Sequence, residues 1–210
     1  MIEERPDEQI VEGLAARILA LPPAALRLRI AVSGPPGSGK STLAEALVAC
    51  LNREAEQAVL VPMDGFHLDN RVLDARGLRA RKGAPETFDA HGFLTLIQRL
   101  GSEADVIAPV FDRVRDIAIA GAQVIAPAHR IAVVEGNYLL LNDAPWSGLR
   151  PLWDLSVALD VPMPVLEDRL IRRWQAHGHS ADAARARAMG NDIPNARRIV
   201  AHSAPADVTL

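Results

Sequence analysis

Gly34–Thr42, reading Gly-Pro-Pro-Gly-Ser-Gly-Lys-Ser-Thr, constrains the fold of this chain more than any other stretch. It follows an apolar, β-prone run, Leu28 to Val32, and opens into Leu43-Ala44-Glu45-Ala46-Leu47-Val48, whose spacing is helical. The order strand, glycine loop, helix is what a phosphate-binding P-loop requires. Its glycines let successive backbone N–H groups converge on a phosphate, and the helix adds its positive N-terminal dipole. Gly34, Gly37, Ser38, Gly39, Lys40, Ser41 and Thr42 are therefore the expected nucleotide-binding residues. Lys40 is expected to reach the β- and γ-phosphates of ATP, and the Ser41 hydroxyl to sit on the Mg²⁺ that bridges them.

The competing reading is a glycine turn that happens to precede a helix. The chain has 14 Gly and only two lysines, Lys40 and Lys82. A chance match to the motif is then expected in roughly one such chain in a thousand or fewer. Because the chain otherwise uses Arg for positive charge, a lysine here is informative: a compact ammonium fits the role and a planar guanidinium does not.

The remaining bounds are ordinary. At 210 residues the chain suits one α/β domain spanning 1–210, with a mobile lid at about 164–190. A formal net charge of -3 gives no reason to expect a nucleic-acid partner. Cys50 is the single cysteine, which excludes an internal disulfide and makes a reducing cytoplasm the expectation. Met1 to Glu12 is acidic and lacks the basic start and apolar core of a secretory signal, and no apolar run is long enough to span a membrane.

In chain order, Asp7 to Leu21 has helical periodicity and stops at Pro22-Pro23. Ala58 to Met63 reads as a buried strand ending at Asp64-Gly65-Phe66-His67. Arg71 to Phe88 is rich in Arg and Gly and too long for a simple connection, so it is either a functional flap or a disordered loop. A helix over His91 to Leu100 precedes a β-excursion in Val106–Arg113 and Asp116–Val124. Ile131 to Val134 is a second buried strand, ending at Glu135-Gly136, and Leu155 to Val161 a third. Helices over Pro164–Trp174, Asp182–Met189 and Asn195–His202 lead to a final strand, Ala206–Leu210. Alternating strands and helices predict a three-layer α/β/α P-loop fold with a mostly parallel central sheet and an Arg-rich helical lid.

Ligands bind beyond the carboxyl ends of strands in such sheets, which brings Asp64 and Glu135 forward. Asp64 has two readings, a base for an acceptor hydroxyl or a cap for the following turn. Glu135 reads either as a contact to Mg²⁺ or its water shell, or as a partner of nearby loop backbone. Arg169, Arg172 and Arg173 are candidates for a lid closing over the phosphates, with a solvated helix face expected for two of the three. His177 and His179 have no further ligand beside them and are expected on the lid surface, and Trp146, Trp153 and Trp174 are expected to pack. An Asn-Lys-x-Asp guanine-reading motif and a Leu-Ser-Gly-Gly-Gln transporter signature are both absent, which argues against a GTPase switch and an ABC ATPase.

Several segments occur in the order seen in one superfamily. They are Gly34–Thr42, Met63-Asp64-Gly65-Phe66-His67, Arg81–Asp89, Ala108-Pro109-Val110-Phe111-Asp112-Arg113 and Val134-Glu135-Gly136-Asn137-Tyr138. The chain thus resembles the phosphoribulokinase, uridine kinase and bacterial pantothenate kinase superfamily, and within it the uridine-kinase-like fructose transport system kinases, which the run Asn191–Ala196 also resembles. The resemblance implies ATP-dependent phosphorylation of a small-molecule hydroxyl, with Asp64 activating the acceptor, Glu135 near Mg²⁺, Arg169 and Arg173 on the lid helix, and Asn195 near the adenine. It also implies a homodimer. Phe111 stands where uridine and pantothenate kinases carry a tyrosine, and their downstream histidine is missing, which turns the expectation away from those substrates. A sugar such as fructose is the leading expectation, with Asp64, His67, Phe111, Asp112 and Arg113 as the acceptor residues. A nucleoside or pantothenate kinase is the alternative, and a nucleotide-binding regulatory ATPase without an acceptor is the alternative of another class.

Overall fold

The computed structural model describes residues 6–24 and 26–210. Met1–Arg5, the start of the acidic N-terminal stretch, lie outside the described residues, as does Ala25. The central sheet has five strands: β1 (Leu28–Ser33), β2 (Ala58–Pro62), β5 (Ile131–Gly136), β6 (Leu155–Ala158) and β7 (Val208–Thr209). Their order is β2-β5-β1-β6-β7 and every pairing is parallel. Two further strands, β3 (Val106–Asp112) and β4 (Ile117–Ile125), form a separate antiparallel hairpin. The helices are α1 (Glu8–Leu19), α2 (Lys40–Leu51), α3 (Asn70–Ala75), α4 (Ala90–Ser102), α5 (Met163–Ala176), α6 (Ala181–Arg187) and α7 (Ile193–His202).

The central strands are largely apolar because both of their faces are covered, with polar residues such as Ser33 and Glu135 at their carboxyl ends. Side chains alternate between faces along a strand. Ile30, Val32, Ile131 and Val133 therefore meet α1 and α2 through Leu14, Ile18, Leu43 and Leu47. Ala31, Ala132 and Val134 meet the opposite layer, Phe93, Leu96, Ile97 and Leu100 of α4 with Tyr138, Trp146 and Ile199. Burying each large apolar side chain contributes about 1.5–3 kcal/mol, and truncating fully buried Leu47 to Ala would cost about 2–5 kcal/mol. The expected three-layer fold is thus the one observed; the last strand is shorter than expected, with only Val208 and Thr209 paired.

Because the sheet is parallel, β1, β2 and β5 all deliver their carboxyl ends to one edge. The register fixes the spacing there, with Val32 opposite Glu135 and Pro62 opposite Glu135 from the other side. A third, smaller cluster, Leu166, Leu170, Ala188, Ile193 and Ala196, ties α5 to the base of α7. A turn at Gly178 connects α5 and α6, and a π-helical turn, Ala188–Asp192, joins α6 to α7. This helical pair occupies the span where the lid is expected.

Candidate active site

The P-loop runs from the end of β1 into α2. Gly37 has φ +80°, and a Cβ there would lie 3.3 Å from Leu170 of α5, so both its backbone conformation and its packing favour glycine. Gly39, at φ 93°, precedes the first turn of α2, which Lys40, Ser41 and Thr42 form. Ser38 is buried, and its Oγ has no hydrogen-bond partner among the described residues. An orphaned buried hydroxyl in a glycine cradle at a helix N-terminus fits a site built to receive an anion.

Glu135, at 5% exposure, sits beside this turn and accepts a hydrogen bond from Ser41 Oγ at 3.2 Å. Burial pushes its pKa up; Lys40 opposes the shift, Asp64 adds to it, and the Ser41 bond opposes it. Two hard oxygens at this spacing fit Mg²⁺, which takes one or two protein groups and completes its shell with phosphate oxygens and water.

Asp64 lies two residues beyond the end of β2, on a 3-10 turn, Met63–Phe66. The turn packs against β3 so tightly that a Cβ on Gly65 would overlap the Pro109 carbonyl, which is a physical reason for glycine after the aspartate. Gln123 of β4 donates to Leu60 O at 2.6 Å and fixes the hairpin against β2. That docking brings Arg113, at the tip of the hairpin, to Asp64, with Nη2 donating to Oδ2 at 3.1 Å.

His67 lies between two rings, with centroids 4.1 Å from Phe88 and 4.6 Å from Phe111. Burial holds its pKa below the usual imidazole range, against the raising influence of Asp64. Its Nδ1 lies 2.8 Å from the Asp64 carbonyl. A carbonyl only accepts, so Nδ1 carries the proton and Nε2 is the acceptor in the neutral ring. Asp112 Oδ1 accepts from the amides of Val114 and Arg115, which shapes the hairpin turn.

The segment from Arg71 to Phe88 is ordered. It contains most of α3 and two 3-10 turns, and it runs back beside the Asp64 turn, where Leu68 N donates to Thr87 O and Asp89 N to Phe66 O. Lys82, which sequence reasoning placed only within this stretch, turns out to be central. Its Nζ donates to Asn70 Oδ1 at 2.8 Å and to the Asp116 backbone carbonyl at 3.0 Å, pairs with Asp116 Oδ1 at 2.8 Å, and lies 5.1 Å from the Phe111 ring centre. It thereby clamps the hairpin to the segment that carries Phe88. The signal available in sequence was position alone, since Lys82 falls within the quoted Arg81–Asp89 motif.

Arg169 of α5 reaches back to the P-loop, its Nη1 donating to Gly37 O at 3.3 Å. Arg172 faces outward and pairs with Asp168, while Arg173 is half-buried and its charge acts on Asp192. Asn195 is buried, its Oδ1 accepting from Arg81 at 3.2 Å, while Asn191 accepts from Arg81 at 3.0 Å and donates to Lys82 O at 2.8 Å. The structure thus places Asn195 in a link between α7 and residues 81–82. His177 and His179 flank the Trp174 ring, and Trp146 is in the core.

A cavity of about 400 Å³ is lined by Arg76, Glu86, Phe88, His91, Trp146 and Arg198, among others, but by no P-loop residue. The chemistry converges instead at the strand ends, where a phosphate cradle, a buried carboxylate and Asp64 meet.

A sequence profile of the Phosphoribulokinase / Uridine kinase family matches residues 29–204. Among solved structures, a candidate fructose transport system kinase from Silicibacter sp. TM1040 superposes with a TM-score of 0.91 at 52% identity, covering 95% of this chain and 98% of that one. The Escherichia coli (strain K12) protein YggC is 38% identical over 187 residues, 88% of this chain and 77% of its own length. A candidate uridine kinase, C227.14 of Schizosaccharomyces pombe, is 33% identical over 217 residues, 99% of this chain and 92% of its own. With the strand-end geometry and a profile match over most of its length, the chain belongs to the phosphoribulokinase/uridine kinase family of P-loop kinases.

Proposed function

We propose that this kinase transfers the γ-phosphoryl group of ATP to a hydroxyl of a small polar metabolite of the sugar class. The observation that carries the reading is the meeting of three strand ends: β1 leads into the P-loop, β5 ends at Glu135 against Ser41, and β2 leads to Asp64. On this reading a donor half and an acceptor half lie side by side. The 52% identity to a candidate fructose transport system kinase supports the sugar class.

In the proposed reaction, the acceptor hydroxyl gives its proton to an Asp64 carboxylate oxygen as its own oxygen bonds the γ-phosphorus. The bond from that phosphorus to the β–γ bridging oxygen breaks, and the electron pair leaves on ADP. Lys40 stays with the β- and γ-oxygens as their charge redistributes, and the backbone amides from Gly37 to Thr42 hold the β-phosphate. Bound Mg²⁺, held by Ser41 and Glu135, would neutralise charge on the bridging phosphates. Arg169, already in contact with Gly37, is assigned to the transferring group, with Arg173 of the same helix behind it. His67, Phe111, Asp112 and Arg113 are assigned to the acceptor side. Asn195 is assigned an indirect part in nucleotide binding, through its link to Arg81.

Phe111 favours this class over uridine or pantothenate, because its ring lies tilted against His67 and offers no hydroxyl. The test is acceptor-dependent ADP formation across sugars, nucleosides and vitamins. A regulatory ATPase would release ADP at a rate that no acceptor changes.

A further inference from the structure

We propose that Asn191 is a positioning residue that ties residues 80–82 to the helices packed on the P-loop, so that a bound nucleotide firms the wall where Lys82 sits. The inference rests on the proposed function for what that wall receives, an acceptor, and on the P-loop for its trigger.

Asn191 lies in the π-helical turn Ala188–Asp192, is 2% exposed, and uses both ends of its amide. Its Nδ2 donates to Lys82 O at 2.8 Å, and its Oδ1 accepts from Arg81 Nη1 at 3.0 Å. Arg187, just before the turn, adds a third hold, with Nη1 donating to Ala80 O at 3.2 Å. Single π turns are rare inside helices and recur at functional sites. Here the turn aims a buried amide at the backbone of a segment more than 100 residues away in sequence.

The same turn is anchored to the P-loop. Trp174 Nε1 donates to Asp192 Oδ2 at 2.6 Å, and Leu170 packs in one cluster with Ala188 and Ile193, which fixes the turn to α5. In turn α5 meets the loop through Arg169, which donates to Gly37 O, and through Leu170, which a Cβ on Gly37 would approach to 3.3 Å. Phosphates held at Gly37 place their charge beside Arg169 and favour α5 in this position. Residues 80–82 share that gain, because leaving Asn191 would orphan a buried amide. From there the link reaches the acceptor wall, since Lys82 holds Asn70 and Asp116 and, with them, the hairpin.

The segment also has an anchor that does not pass through the helices: Tyr138 donates its hydroxyl proton to Gly83 O from the end of β5. That bond orders the segment whatever the P-loop holds. It therefore separates a positioning role from a structural one.

The test is amide hydrogen exchange at Arg81, Lys82 and Ala84, whose N–H groups bond Leu78 O, Arg79 O and Arg81 O, with and without saturating MgADP. Residues that open as one unit gain protection together when a ligand binds any part of it. In the parent, MgADP should slow these exchanges about fivefold or more, the lower end of coupling between linked sites. Asn191→Leu keeps the size of the side chain, removes both bonds, and should abolish the slowing. Arg187→Gln removes only the hold on Ala80 and should reduce it, which keeps the inference testable if Asn191→Leu does not fold. Tyr138→Phe should speed exchange in both states and leave the effect of MgADP at its parental size. The comparison is made within each variant, so a general loosening does not move it.

No slowing in the parent, slowing that every folded variant of Asn191 and Arg187 retains in full, or its loss in Tyr138→Phe would overturn the inference. A parent that does not bind MgADP contradicts the P-loop assignment and this inference together. ADP formation separates the inference from the kinase reading. Asn191-dependent protection in a protein whose ADP release no acceptor stimulates leaves the link standing and contradicts the kinase. Acceptor-stimulated turnover in a protein whose segment is blind to MgADP does the reverse.

Discussion

Ser41 Oγ donates to Glu135 Oε2 across 3.2 Å, joining the first turn of α2 to the end of β5 over 94 residues of sequence. Because burial raises the Glu135 pKa, the folded protein holds that proton more tightly than the unfolded chain does. Its stabilising contribution is therefore complete below the unfolded value of about 4.5 and is lost as pH rises through the folded value. Glu135→Gln removes that loss. At pH 8 the ligand-free variant should melt a few degrees higher than the parent, on the scale of about 2–4 °C per kcal/mol for a chain of this size. The difference should shrink as pH falls toward 4.5, and the variant should lose most of the extra stabilisation that Mg²⁺ adds to bound ADP. Thermal melts across pH, with and without Mg²⁺ and ADP, check both parts.

Lys40 is expected to hold the β- and γ-phosphates. Lys40→Ala should lower ATP affinity or turnover by on the order of a hundredfold or more, with little change in melting temperature. Isothermal titration and steady-state ADP release are the measurements, and an unchanged variant would remove the P-loop from the mechanism.

Lys82 contacts Asn70, Asp116 and Phe111, so in the proposed site it is assigned to the acceptor side rather than to phosphate. Lys82→Met keeps the aliphatic stem and removes the ammonium. It should raise acceptor KM about tenfold or more, leave ATP affinity within about twofold, and lower stability by about 1–3 kcal/mol, because Asn70 and Asp116 lose a charged partner. A rise in the KM for ATP instead would place Lys82 on the donor side.

The donor half was legible in sequence because its signal is local. A strand, a glycine loop and a helix within Leu28–Val48 specify it, and Asp64 and Glu135 declared themselves as acids at the ends of apolar runs. The acceptor wall was not, because it is built from side chains that only the fold brings together. Lys82 meets groups 12 and 34 residues away, and Arg81 meets Asn191 and Asn195 at 110 and 114. Length alone left Arg71 to Phe88 open between flap and disorder. What orders it is long-range, chiefly the Lys82 clamp and the Tyr138 hydroxyl donating to Gly83 O. The resemblance pointed residues 191–197, Asn195 among them, toward the adenine; that the buried Asn195 side chain also meets Arg81 is a contact that no spacing within those residues reveals.

The central claim, that Asp64 activates an acceptor hydroxyl for phosphoryl transfer, is tested most directly by single-turnover phosphoryl transfer from labelled ATP in the parent and in Asp64→Asn. The comparison uses the compound that most accelerates ADP formation. Asparagine keeps the size of the side chain and its acceptor oxygen for Arg113, but it takes up no proton. The account predicts a loss of about 10²–10⁴-fold in the transfer rate with ATP affinity unchanged. Full-rate transfer to the acceptor by Asp64→Asn would contradict it.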